Sequence, residues 1–137
     1  MIILDTNVLS AAMASDGIVV AWLDLQSSSS VWTTTVTIFE VRSGLLAMPA
    51  GRRRAERELA FDSIIENDLE GRVLPFDRSA AEEAARLMAD RRKAGRVGES
   101  RDTMIAGIAL AQRATLATRN VRHFIDLSVQ VVDPWNA

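Results

Sequence analysis

The sequence predicts an α/β layered fold, one domain over residues 1–137, with a mainly parallel central sheet. Three observations carry this. Ile2-Ile3-Leu4 is apolar on both faces, as a strand covered on both sides must be, and it stops abruptly at Asp5. Further along, β-branched runs alternate with helix-length segments, the pattern of strand–helix–strand units. Finally, Asp102–Ala111 is apolar almost all round, which marks a helix buried in the middle of the domain.

The elements follow in order. Val8–Ala14 reads as a short helix, broken at Asp16-Gly17 and resumed over Ile18–Leu25 with Asp16 as its cap. Gln26–Ser30 is a polar loop. Val31–Val36 is β-branched and aromatic, a strand. A helix then opens at Thr37 and runs to Met48, with Thr37 and Glu40 at the spacing of a capping box. After the Pro49-Ala50-Gly51 turn, Arg52–Leu69 is helical, with Phe61, Ile64 and Ile65 toward the core. Val73–Phe76 is a short strand whose proline puts it at an edge. Ser79 is expected to cap the next helix, which carries an apolar stripe at Ala81, Ala84, Ala85 and Met88 and leaves through Arg91-Arg92-Lys93 to Gly95. Those three basic residues read as a solvated helix end. Arg96–Arg101 is a loop with Ser100 as cap of the buried helix, Thr115–Thr118 a strand, Phe124-Ile125 a turn, and Val129–Val132 the last strand. The tryptophans Trp22, Trp32 and Trp135 are assigned to packing.

Composition narrows the chemistry. With no cysteine and the single histidine His123, disulfides, thiolate sites, multi-histidine zinc sites and a Cys nucleophile are excluded. Any metal site must be built from oxygen ligands, which points to Mg²⁺ or Mn²⁺. There is no bilayer-length apolar run and no basic leader before the first strand, so the expected location is cytoplasmic, with no membrane partner. The net charge of −2 does not announce nucleic-acid binding, although a local basic face is compatible with it.

Three acids stand beside apolar sequence, where a charge is costly unless paired or used. Asp5 ends the first strand, Glu40 opens the helix after the second, and Asp102 opens the buried helix. If the strands are parallel and adjacent, all three reach the same sheet edge, where ligands collect in open α/β folds. Three carboxylates there repel one another unless a cation neutralises them. Each also has a plain structural explanation: Asp5, Thr6 or Asn7 as a helix cap, Glu40 in its capping box, Asp102 complementing a helix dipole. Asn120, after the Thr115 strand, adds a neutral oxygen to the same edge.

These stretches resemble a known family. The opening Ile-Leu-Asp5-Thr-Asn, Thr37-x-x-Glu40-Val41-x-x-Gly44 and Asp102-Thr-Met-Ile-Ala106-Gly-Ile-Ala109 look like the PIN-domain nucleases. Leu116-Ala-Thr118-Arg119-Asn120-Val-x-His-Phe124 and the closing Val-Val-Asp-Pro134-Trp135 are similar to the VapC/FitB toxins of bacterial type II toxin–antitoxin pairs. The likeness spans the chain in order. It implies a compact α/β/α sandwich and a Mg²⁺- or Mn²⁺-dependent endoribonuclease, with Asp5, Glu40 and Asp102 as metal ligands. Thr6, Asn7 and Thr118 are then supporting residues, and Asn120 a fourth catalytic position. Many relatives carry aspartate at the Asn120 position, so this chain has one charge fewer; Glu99, just before the buried helix, is an acid that could compensate, although its plainer reading is a solvated loop residue. The resemblance also implies a cognate antitoxin, an RNA substrate of the structured, tRNA-like kind, and a homodimer.

A phosphodiester substrate calls for cations, and Arg42, Arg101, Arg119 and Arg122 lie nearest the motif residues in sequence. Two other functions remain open at this level. One is an aspartate-dependent phosphatase of the haloacid-dehalogenase type, although its second acid is here Asn7 and Lys93 is the only lysine. The other is a non-catalytic PIN scaffold that binds RNA or protein.

Overall fold

A computed structural model describes residues 1–137. Five strands form one sheet: β1 (Ile2–Leu4), β2 (Val31–Thr34), β3 (Val73–Leu74), β4 (Thr115–Ala117) and β5 (Val131–Val132). Their spatial order is β3-β2-β1-β4-β5, and every pairing is parallel. The helices are α1 (Thr6–Met13), α2 (Gly17–Asp24), α3 (Thr35–Ala47), α4 (Arg52–Ser63), α5 (Arg78–Lys93) and α6 (Ser100–Gln112). A π-helical stretch, Ile64–Asp68, prolongs α4, and short 3₁₀ turns cover Ser28–Ser30 and Val121–Phe124. No single helix is long and apolar enough to cross a membrane.

Because successive strand residues point to opposite faces, the sheet feeds two cores. Ile3 and Leu116 join α5 and α6 on one face, around Leu74, Leu87, Ile105, Ile108 and Phe124. Leu4 and Ala117 join α1, α2 and α4 on the other, around Val8, Leu9, Val19, Phe61 and Leu69. The result is the expected α/β/α sandwich. The three tryptophans pack half-buried against these cores, as expected.

The strand order places the ligand-binding edge. From central β1 the chain steps outward to β2 and β3, then returns to the other side of β1 for β4 and β5. The direction of winding reverses between β1 and β4. A crevice opens beyond the carboxyl ends of strands at such a switch point. Asp5 follows β1 and Thr118 follows β4, so both stand at its mouth.

Several local expectations are corrected. The helix after β2 starts at Thr35, not Thr37, and Thr34 is its cap, accepting from the Thr37 N–H at 3.1 Å. Glu40 therefore does not close a capping box and its side chain is free for other contacts. The α5 cap is Asp77, whose carboxylate accepts from Ala80 N, rather than Ser79. Ser100 is the first residue of α6, not its cap. The buried face of α5 is Ala80, Ala84, Leu87 and Arg91; Ala85 is exposed, and Ala81 and Met88 are only half-buried. That face is set by α6. A Cβ at Gly107 would lie 2.5 Å from the Ala80 carbonyl and 2.7 Å from the Ala84 Cβ, so only glycine allows the two helices to pack this closely.

Candidate active site

Asp5 is the hub of the crevice, only 3% exposed. Its Oδ1 accepts from the Thr6 N–H at 2.8 Å, so it does cap α1. Its Oδ2 accepts from the Thr118 hydroxyl at 2.7 Å and from Asn7 Nδ2 at 3.3 Å, which ties the end of β1 to the end of β4. The cap therefore occupies Oδ1, and the link to β4 occupies Oδ2. Burial pushes the Asp5 pKa up to about 6, against the pull of the bonds from Thr118 and Thr6. The charges of Asp102 and Glu40 push it further in the same direction.

Thr6 links this hub to α3. Its hydroxyl donates to Glu40 Oε1 at 2.9 Å and lies 3.1 Å from the Thr37 hydroxyl. Asp102 stands in the first turn of α6, with His123 Nδ1 3.1 Å from its Oδ2. Asn7 braces the β4 end, accepting from the Arg119 N–H at 3.0 Å. Asn120 is exposed; its N–H donates to the Thr118 hydroxyl at 3.0 Å, while its side chain makes no hydrogen bond.

The donor chemistry fits a hard divalent cation. Three carboxylates border the crevice, and the one at the centre is held above its ordinary pKa by burial and by its acidic neighbours. A cation reverses that penalty. The three carboxylates stand apart in this arrangement and do not form a closed chelating trio. Glu40 Oε2 has Arg101 Nη1 at 4.0 Å, and Asp102 has His123.

The four arginines fare differently. Arg42 is paired with Asp62 and lies over the Phe61 ring, 4.7 Å from its centroid. Arg119 lies over Trp135 at 4.7 Å. Arg101 bridges Glu99 and Glu40 at the site's rim. Arg122 is exposed and has no acidic partner.

One residue assigned to solvent belongs to the site's frame. Arg91 is 4% exposed and grips Asp126 with two bonds, at 2.8 Å and 3.0 Å. The same guanidinium donates to the His123 carbonyl at 2.8 Å and to the Thr103 hydroxyl at 3.2 Å. It thereby fixes the neighbours of Asp102 on two elements, and it holds the Asp126 carboxyl below the usual carboxylate range. The signal was present in the sequence. Reading the α5 stripe from Ala80 instead of Ala81 puts an arginine on the apolar face.

Known proteins share this sequence and fold. The PIN domain family matches residues 2–129. The chain is 38% identical to "VapC ribonuclease Y4jK" of Sinorhizobium fredii, over 98% of each chain. It superposes on the crystal structure of FitAcB from Neisseria gonorrhoeae with a TM-score of 0.84, at 30% identity over the full length of both chains. It also resembles VapBC-5 from Mycobacterium tuberculosis, described as a member of the VapBC family of toxin–antitoxin systems, with a TM-score of 0.69 and 27% identity over 95% of each chain.

Proposed function

Because the chain belongs to the PIN domain family, we propose that it is a toxin of a type II toxin–antitoxin pair, acting as a metal-dependent endoribonuclease. One observation carries this reading above the others. Asp5 is a buried carboxylate at the β1/β4 switch point, under electrostatic pressure from Glu40 and Asp102, and no basic side chain bonds to it. A buried carboxylate that costs folding energy at neutral pH and has no cationic partner to offset that cost is the mark of a group kept for function.

Asp5, Glu40 and Asp102 would hold Mg²⁺ or Mn²⁺, with Asn120 at the open rim. The bound cation supplies an activated water and stabilises charge on the phosphoryl oxygen. The remaining work falls to the protein. Thr118 and Asn7 orient the Asp5 carboxylate, and Thr6 orients Glu40. Arg122, at the rim and without an acidic partner, neutralises an RNA phosphate, whereas Arg101 is engaged with Glu99 and Glu40, and Arg42 and Arg119 with Asp62, Phe61 and Trp135. The substrate is RNA of a structured, tRNA-like kind. The chain acts as a homodimer and is held in check by a cognate antitoxin. The naming of the Sinorhizobium relative as a ribonuclease supports the nuclease assignment, and the toxin–antitoxin description of VapBC-5 supports the antitoxin partner.

A second reading, the non-catalytic scaffold, is favoured by the pairing of Asp102 with His123 and of Glu40 with Arg101. The phosphatase reading has no such support, since position 7 holds an amide that donates to Asp5. The deciding experiment is incubation of purified, antitoxin-free protein with total cellular RNA, with Mg²⁺, with Mn²⁺ and with chelator, beside Asp5→Ala. Discrete metal-dependent products that vanish in the variant are expected. A folded wild-type protein that cuts no RNA moves the balance to the scaffold.

A further inference from the structure

A cavity of about 240 Å³ opens beside Asp102, walled by the α5–α6 loop and the 3₁₀ turn after β4. It is lined by three arginines, Arg91, Arg96 and Arg122, two acids, Glu99 and Asp102, and His123 and Gly98, with Val97 its only apolar side chain. Its volume lies below the range of pockets that enclose a whole drug-sized ligand.

The charges do not cancel. Arg91 is bound to Asp126, and the nearby Glu99 is paired with Arg101 at 3.1 Å. Arg96 reaches only an Asp126 oxygen that Arg91 already holds, at 3.4 Å, and Arg122 has no acidic partner. Over the lining three arginines therefore stand against two acids, Asp102 and Glu99, and Arg122 is the cation with no acidic partner. The floor is rigid and open: Arg91 is locked by four hydrogen bonds, and a Cβ at position 98 would lie 2.9 Å from its Nη1. Glycine at that position leaves room above the guanidinium. A small, polar, net-basic recess adjoining an acidic centre is complementary to a single phosphate group and too small for a nucleotide.

We propose that this recess is a subsite for one backbone phosphate of the RNA strand, next to the phosphate that is cut, with Arg122 and Arg96 as its ligands. The inference rests on the endoribonuclease reading and adds to it the place where the strand is gripped. Arg122 and Arg96 fix the strand's position along the crevice, and they do so without regard to base, as phosphate contacts do.

The test is binding of a fluorescent single-stranded RNA in chelator, over a range of salt concentrations, together with cleavage kinetics in Mn²⁺. Arg122→Ala and Arg96→Ala are each expected to weaken RNA binding roughly tenfold at low salt, as loss of a charged hydrogen bond does. Each should also flatten the slope of log affinity against log salt by about 0.7, one phosphate contact on a single strand. The loss should appear in KM and not in kcat, and Arg122→Lys should restore most of it. Arg78→Ala removes the same charge from a side chain that is 94% exposed on α5, away from the cavity, and should move neither quantity. If the wild type cleaves RNA and the two variants match Arg78→Ala, the subsite is overturned and the nuclease reading stands. If the wild type cleaves no RNA, both fall together.

Discussion

Replacing Asp5 by asparagine separates a residue kept for structure from one kept for function. The change preserves shape and the acceptor for the Thr6 N–H, and it removes the charge. In the folded wild type the Asp5 carboxyl has its pKa pushed up from 3.8 to about 6 by burial. The unfolded chain releases this proton near the ordinary value, so the fold binds the extra proton between those limits. The sign follows: stability associated with protonated Asp5 is present below the ordinary pKa and is lost as pH rises through about 6. At 1.36 kcal/mol per pKa unit, wild type should lose about 2–3 kcal/mol between pH 4 and pH 8 that the variant does not lose. The Thr118 hydroxyl must also reverse its role toward the new amide, a pH-independent cost of about 1 kcal/mol. Denaturant unfolding of both proteins in chelator at the two pH values reads the difference directly. Asp5→Asn should be near neutral or slightly destabilising at pH 4 and stabilising at pH 8. In thermal unfolding the relative shift is roughly 8 °C for a chain of this size. An equal destabilisation at both pH values would refute the reasoning and make Asp5 a simple helix cap.

Other consequences concern the frame. The buried Thr33 hydroxyl has no hydrogen-bond partner, so Thr33→Val should stabilise the fold by about 1 kcal/mol in denaturant unfolding. Gly107→Ala should destabilise by about 2 kcal/mol or more, because α5 must move away from α6, and the loss should show as a lower unfolding midpoint. Arg91→Met leaves the His123 carbonyl and the Thr103 hydroxyl without this donor and Asp126 with only Arg96, at 3.4 Å; it should cost about 3 kcal/mol and, in a cleavage assay below the unfolding temperature, lower kcat through misplacement of Asp102.

Much of the site could be read from residues alone because it sits where patterns break. An apolar triplet that ends in Asp5 marks both a buried strand and its carboxyl end, and the all-apolar α6 makes Asp102 conspicuous. Glu40 was harder. Thr33, Thr34, Thr35 and Thr37 offer several cap positions in a row, and only the turn from sheet to helix decides that Thr34 is the one used. That two-residue shift released Glu40 from the cap and gave it to Thr6. Arg91 was hidden for a different reason. With alanines at 80, 81, 84 and 85, α5 carries two overlapping stripes, and small side chains do not discriminate between them. The choice is made by tertiary packing on Gly107 and by the remote partner Asp126. The two-residue strands β3 and β5 are likewise set by pairing with their neighbours more than by local pattern.

The proposed single cation site is drawn from three separate segments, through Asp5, Glu40 and Asp102. It is tested most directly by Mn²⁺ titration of the metal-free wild type and of Asp5→Asn, Glu40→Gln and Asp102→Asn, each confirmed folded by circular dichroism. One saturable site is expected in the wild type, with a loss of affinity of at least roughly tenfold in every single variant, as removal of a shared ligand entails. Wild-type affinity retained in any two of the three variants would contradict the shared site.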